Sequence, residues 1–88
     1  MRMLLALLCL FFSTSVSAMD IPDAASPAAQ LYVDRCSTCH ALAHPARLDW
    51  PHWRSMLHVM KLRMSERGME MPDEEWRQIA GYLKQHAR

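Results

Sequence analysis

Apolar residues along the chain form one short unbroken run, followed by a longer periodic pattern. Residues 3–12 (MLLALLCLFF) are all apolar, Arg2 precedes them, and small residues follow as far as Ala18. This order of positive charge, apolar core and small-residue exit is typical of a secretory signal peptide. Because the run is about half of the ~20 apolar residues that a spanning helix needs, we expect a signal peptide at residues 1–18, cleaved near Ala18, and not a membrane anchor. The mature domain is then expected over residues 19–88.

In the periodic part, the first segment predicts a helix over residues 27–39. Ser26 is a good N-cap, and the proline that follows it is tolerated at the first helical position, where a missing N–H costs little. Residues 41–49 contain a proline and predict a loop. Residues 19–25 are expected to form a loose lead-in.

The second segment predicts a helix over residues 50–67, which Asp49 can cap and Gly68 can end. Its apolar side chains recur at three- and four-residue spacing and so share one face. They are Trp53, Met56, Leu57, Met60 and Met64. Among them, Met56 is expected to belong to the core. The charged side chains near the end of the helix are expected to form a solvated face, and they are Lys61, Arg63, Glu66 and Arg67.

The third segment predicts a helix over residues 74–86, with Asp73 as its N-cap. Its expected buried stripe again follows helical spacing and consists of Trp76, Ile79, Ala80 and Leu83. His86 is expected to be solvated. Because no stretch alternates as a β-strand does, the predicted fold class is an all-α domain of three helices and one long loop.

Charge and cysteine content narrow the class of protein. Without residues 1–18, which include one arginine and no acidic residue, basic and acidic side chains are equal in number, and this argues against a nucleic-acid partner. A domain this small has a thin core and often needs a further stabilising element, such as a disulfide, a metal or a cofactor. Cys9 leaves with the signal peptide, and Cys36 and Cys39 are too close together to close a long disulfide loop.

Residues 36–40 read Cys-Ser-Thr-Cys-His, the CxxCH pattern that attaches a c-type haem. Each thiol adds to one vinyl group of the haem, and the two-residue spacer lets Cys36 and Cys39 reach along one porphyrin edge. His40 then points its imidazole at the iron from the same side. The sequence therefore predicts one covalent haem c, held by two thioether bonds and by His40 as an axial ligand. The haem would also give three short helices an apolar surface to pack around.

Two other uses of a cysteine pair fit the pattern less well. A thioredoxin-like redox pair requires a βαβ context, and the sequence predicts no strands. A zinc site requires a second ligand pair at zinc-finger spacing, which the sequence lacks.

With these residues the chain resembles class I c-type cytochromes. LYVDRCSTCH (residues 31–40) is similar to their first helix and haem motif, and IAGYL (residues 79–83) is similar to their last helix. The resemblance implies a three-helix cytochrome c-like domain wrapped around one covalent haem. It also implies that the first and last helices cross, through Tyr32 or Leu31 on one side and the pair 81–82 (Gly-Tyr) on the other.

The middle of the chain resembles a subgroup of short mono-haem bacterial domains with a Trp-x6-Met pattern, here Trp53 and Met60. This pattern implies Met60 as the sixth iron ligand, with Met64 as the alternative, and places Trp53 against the haem. A methionine thioether stabilises ferrous iron and so suits an electron carrier. Arg47, in the loop, is a candidate partner for a haem propionate.

These features predict a periplasmic protein that carries single electrons and, because nothing in it offers a nucleophile or acid–base pair, is not an enzyme. The resemblance implies a periplasmic dehydrogenase or another redox protein as partner. We expect a monomer or a subunit of a dehydrogenase complex, without stable membrane insertion after cleavage. Two alternatives stay open: a haem-based ligand sensor with an open or bis-His site, and a haem-free helical binding domain. His44, His52 and His58 are the histidines considered for a bis-His site.

Overall fold

The computed structural model describes residues 20–38 and 41–88. Three α-helices follow one another in these stretches: α1 (Pro27–Cys36), α2 (Trp50–Glu66) and α3 (Asp73–His86). A short 3₁₀ helix (Pro45–Arg47) lies between α1 and α2. No strand occurs in the two described stretches, so the predicted all-α, three-helix fold is confirmed. Within the same residues, no helix is long and apolar enough to cross a membrane.

Two of the three predicted N-caps are confirmed. Ser26 Oγ accepts a hydrogen bond from the Ala29 amide at 3.1 Å, and Asp49 Oδ1 accepts one from the His52 amide at 3.0 Å. The prediction for Asp73 was wrong, because α3 begins at this residue and Pro72 takes the cap position without a side-chain hydrogen bond. Asp73 instead places its charge in the first helical turn, at the positive end of the helix dipole.

The predicted end of α2 at Gly68 is also confirmed. Gly68 adopts a left-handed conformation with φ of 71°. Its amide bonds to the Ser65 carbonyl at 3.0 Å, and the Met69 amide bonds to the Met64 carbonyl at 2.8 Å. This pair of hydrogen bonds is a Schellman motif, which satisfies carbonyls at the helix end and turns the chain back toward α3.

The core lies where α3 packs against both other helices. Tyr32 of α1 meets Tyr82 of α3, with ring centroids 5.6 Å apart, and Ile79 and Leu83 of α3 are fully buried. The expected contact of the first and last helices is therefore confirmed at Tyr32 and Tyr82. Gly81 does not belong to it: this residue is exposed, and a Cβ added there would meet nothing within 4 Å. One residue is a turn of about 100° around a helix, which puts Gly81 on the outer face.

The lead-in is held against the core at residues 21 and 22 and is not loose there, in contrast to the prediction. Ile21 belongs to the core, and the Tyr82 hydroxyl donates to the Pro22 carbonyl at 2.7 Å. Asp23 then turns the chain into α1. His86 was expected to be solvated, yet its side chain is 17% exposed, because it lies on the Tyr82 ring and beside the Asp23 carboxylate.

The backbones of α1 and α2 do not touch one another, although both touch α3. An opening lies between them. It is bordered by the end of α1, the loop around the 3₁₀ helix, and the long face of α2.

Candidate functional site

Two adjoining cavities fill the space between α1 and α2. The larger has a volume of about 420 Å³, and the smaller about 210 Å³. Three residues line both: Cys36, Met56 and Met60. We call the two cavities together the cleft. The larger cavity alone is within the ~300–1,000 Å³ range of small-molecule and cofactor sites.

Cys36 is the last residue of α1 and is largely buried at the cleft. Burial raises the pKa of its thiol to about 11, so the sulfur is protonated at neutral pH. In that form it is a weak nucleophile toward disulfides.

α1 was predicted to extend to residue 39, but it ends at Cys36. The two spacer side chains bond back to carbonyl groups of α1. Ser37 Oγ donates to the Val33 carbonyl at 2.5 Å, and Thr38 Oγ1 donates to the Asp34 carbonyl at 3.2 Å. Cys39 and His40 lie outside the described residues, so their predicted roles stay predictions.

The methionines of α2 divide by the surfaces that they line. Met60 is half-buried and borders both cavities, whereas Met64 borders only the larger one. Met56 was expected in the core, and this was wrong: it is 44% exposed and borders both cavities. Its spacing of one turn before Met60 was the available sequence signal. Leu57 and Trp53, on the adjacent strip of α2, are the residues of this helix that become buried.

Trp53 lines the smaller cavity together with Met60. Its side chain is buried, and Nε1 donates to the Pro45 carbonyl at 2.7 Å. The Trp53 and Tyr32 rings meet edge to face, with centroids 6.3 Å apart and planes at 88°. Trp53 therefore lies beside Met60 on the cleft, where the sequence pattern placed it.

The loop after the cysteine motif is held by hydrogen bonds to its carbonyl groups. The Tyr32 hydroxyl donates to the Ala43 carbonyl at 2.5 Å, and the Arg88 amide donates to the Leu48 carbonyl at 3.0 Å. Burial raises the pKa of the Tyr32 hydroxyl well above its usual value, with smaller contributions from Cys36 and Tyr82. The hydroxyl therefore remains a donor throughout the physiological pH range.

Arginines border an otherwise apolar cleft. Arg35, Arg63 and Arg67 line the larger cavity, and Arg47 lines the smaller one. Arg35 is engaged with the Glu75 carboxylate at 2.9 and 3.4 Å. Arg63 and Arg67 are exposed, as expected for a solvated face, and they also border the larger cavity. Neither has an ion-pair partner in the described part of the chain.

The described histidines lie away from both cavities. His44 Nδ1 accepts from the Ala46 amide at 2.9 Å, His52 lies 2.6 Å from the Asp49 carboxylate, and His58 is exposed. None of them, nor His86, is among the residues that line the cleft. This placement does not favour a second histidine ligand from residues 41–88.

The residues of the cleft fit a haem. A buried thiol lies at the end of a helix, thioether side chains line the facing helix, and arginines at the border can pair with carboxylates. Thioethers are known axial ligands of haem iron. The described part of the cleft would thus supply one attachment point, Cys36, and three thioethers of α2 as candidate iron ligands, Met56, Met60 and Met64.

Comparison with known proteins gives a family. The family model described as dihaem cytochrome c matches residues 32–88. No curated protein and no solved structure shows significant similarity to the chain. The matched segment covers more than half of the chain and contains both the cysteine motif and α2, the helix along the cleft. The chain therefore belongs to the dihaem cytochrome c family and is a c-type cytochrome domain, with haem-based electron transfer as its general chemistry.

Proposed function

We propose that this member of the dihaem cytochrome c family carries single electrons on one covalent haem c. Cys36 and Cys39 would form the thioether bonds, His40 would be one axial ligand and Met60 the other. The observation that carries the proposal is that Cys36 and Met60, from two different helices, border the same apolar cleft. A haem in this position would fill the space between α1 and α2.

The proposed number of haems differs from the family description. The family is described as dihaem, whereas the matched segment contains one CxxCH motif and one cysteine pair. A covalent c-type haem needs such a pair. We therefore assign one haem to this chain.

A bound haem would supply the exchange of one electron. The residues of the chain would hold and tune it. Trp53, Leu57 and Tyr32 give the smaller cavity an apolar wall that limits water. The Met60 thioether favours the ferrous form and so a higher reduction potential. Arg47, Arg63 and Arg67 are available at the border for the two propionates.

Met60 is preferred to Met64 as the ligand because of its place on α2. It borders both cavities and lies on the helix beside buried Leu57 and Trp53, whereas Met64 reaches only the larger cavity. Met56 also borders both cavities, but its larger exposure makes it a weaker candidate.

We further propose that the chain is cleaved near Ala18 and exported to the periplasm. In bacteria, the periplasm is the compartment in which c-type haem is attached. A periplasmic dehydrogenase, or another redox protein, would donate the electron to the haem. The chain would act as a monomer or as a subunit of a dehydrogenase complex. With the sixth position filled by Met60, no iron site is open to a substrate, so the protein would not be an enzyme by itself.

The test is to mature the protein in an exporting, haem-attaching host and to measure haem per chain and absorption spectra. We expect one haem per chain and the far-red band of methionine-ligated ferric haem. Met60→Ala should abolish that band, whereas Met64→Ala and Met56→Ala should retain it. A protein without haem would refute the proposal. Rapid carbon monoxide binding to the reduced wild type would instead indicate a sensor with an open site.

A further inference from the structure

We propose that Tyr32 is a positioning residue for the haem site, because its hydrogen bond holds the loop that follows the haem motif as a wall of the smaller cavity. The inference rests on the proposed function, because it requires a haem in the cleft. Ala43, whose carbonyl accepts the Tyr32 hydroxyl, is three residues beyond His40. Leu42 and Ala43 line the smaller cavity, so the hydrogen bond fixes part of its wall.

The anchor comes from the same helix as the haem attachment. Tyr32 is one helical turn before Cys36, so both side chains project from one face of α1. Tyr32 is almost fully buried, and its ring is held between Tyr82 and Trp53. The hydroxyl therefore sits at a fixed place relative to the Cys36 sulfur, and it ties the loop to that frame.

A second anchor comes from the opposite side of the cleft. Trp53 Nε1 holds the Pro45 carbonyl, two residues beyond Ala43. Trp53 is also seven residues before Met60 on α2, and its ring contacts that of Tyr32. Two hydrogen bonds thus hold the loop, one from α1, which carries Cys36, and one from α2, which carries Met60. Outer groups of this kind orient metal ligands and control water access to the metal.

Tyr82 provides a matched control within the same core. It is a buried tyrosine whose hydroxyl also donates to a backbone carbonyl, that of Pro22, at 2.7 Å. Burial raises the pKa of its hydroxyl as well. Its acceptor, however, belongs to the lead-in and not to the loop after His40, and Tyr82 lines neither cavity. Tyr32→Phe and Tyr82→Phe therefore remove equivalent hydrogen bonds with different positions relative to the haem.

The experiment compares the two variants as matured haem proteins, by reduction potential, by electron paramagnetic resonance of the ferric form, and by thermal unfolding. Both should lower the melting temperature by similar amounts. Only Tyr32→Phe should lower the potential, because a loosened loop admits water and favours the more charged ferric iron. We expect about a tenfold change in the ferric-to-ferrous ratio at a fixed potential, which is about 59 mV for one electron. The ferric resonance of this variant should also change.

Trp53→Phe, which keeps a ring but loses the bond to Pro45, should shift the potential in the same direction. If Tyr32→Phe matures without haem, the reduction potential of Trp53→Phe is the deciding measurement. Equal potentials in the wild type, Tyr32→Phe and Trp53→Phe would overturn the inference, and so would equal shifts in Tyr32→Phe and Tyr82→Phe. Haem per chain in the wild type is measured first, so failure of the proposed function is seen separately from failure of this inference.

Discussion

α1 lies between α3, against which it packs closely, and α2, from which it is separated by the cleft. On the side of α3, which we call the packed side, Tyr32, Tyr82 and Leu83 close the space with protein atoms. On the side of α2, which we call the cleft side, the helices stay apart and apolar residues remain uncovered. Met56 and Val59 there are each 44% exposed. An apolar face that the described residues leave uncovered indicates a binding site, and here the cysteine motif indicates what would cover it.

The comparison also separates stability from function. The packed side contains residues whose loss would cost packing energy, and the cleft side contains the residues that would hold and tune a haem. A substitution on one side should therefore change unfolding, and one on the other should change the spectrum or the potential.

The largest expected effect on stability is that of Leu83→Ala. Leu83 is fully buried on the packed side, and truncation there should cost about 2–5 kcal/mol of unfolding free energy. The far-red haem band should persist, since Leu83 lines neither cavity. Denaturant unfolding and absorption spectra of the haem protein measure the two effects.

Leu62→Ala is the control, because Leu62 is 54% exposed and away from the cleft. This variant should change the unfolding free energy by less than about 0.5 kcal/mol. Equal losses in both variants would contradict the packed-side assignment.

A smaller effect, of opposite sign at two positions, is expected from the glycines. Gly68 links the cleft helix α2 to the packed helix α3 with φ of 71°, so Gly68→Ala should cost about 1–2 kcal/mol in backbone strain. Gly81 lies within α3 with open space around it, so Gly81→Ala should stabilise by about 0.8–1.0 kcal/mol through helix propensity. Thermal unfolding of the two variants measures both. A loss at Gly81 would show that its outer face is covered.

The smallest effect expected is a pH dependence at the start of the cleft helix. The pKa of Asp49 lies below its usual value, chiefly because its carboxylate accepts the His52 amide and also pairs with the His52 side chain. A lowered folded-state pKa means that the carboxylate form stabilises the fold. This contribution is complete above the unfolded value of 3.8 and is lost as the pH falls through the lower folded value.

Asp49→Asn provides the control for this pH dependence, because asparagine is a good N-cap that does not titrate. The difference in unfolding free energy between wild type and Asp49→Asn should decline as the pH is lowered below the unfolded pKa of 3.8. A difference that stays constant across this range would show that the Asp49 carboxylate is not coupled to folding.

Most of the fold was predictable from local sequence signals. The caps at Ser26 and Asp49, the stop at Gly68 and the helical spacing of apolar residues each depend on neighbours within a few positions. The error at Asp73 was local too, because Pro72 competes for the cap position. The candidate site was predictable in part: Cys36 and Met60 do border one cleft, whereas the exposure of Met56 at that cleft was not foreseen.

The sequence by itself determined the three helices, though not the end of α1 or the first residue of α3, together with the chemistry of the CxxCH motif. These features depend on residue type and on spacing along the chain. The tertiary structure alone decided that the lead-in packs under Tyr82, that Met56 faces the cleft, and that Tyr32 holds Ala43. Each of these contacts depends on which helices lie side by side and at what separation. Residue spacing gives the face of a helix, but only the packing of α3 against both partners decides which face of α2 is left uncovered.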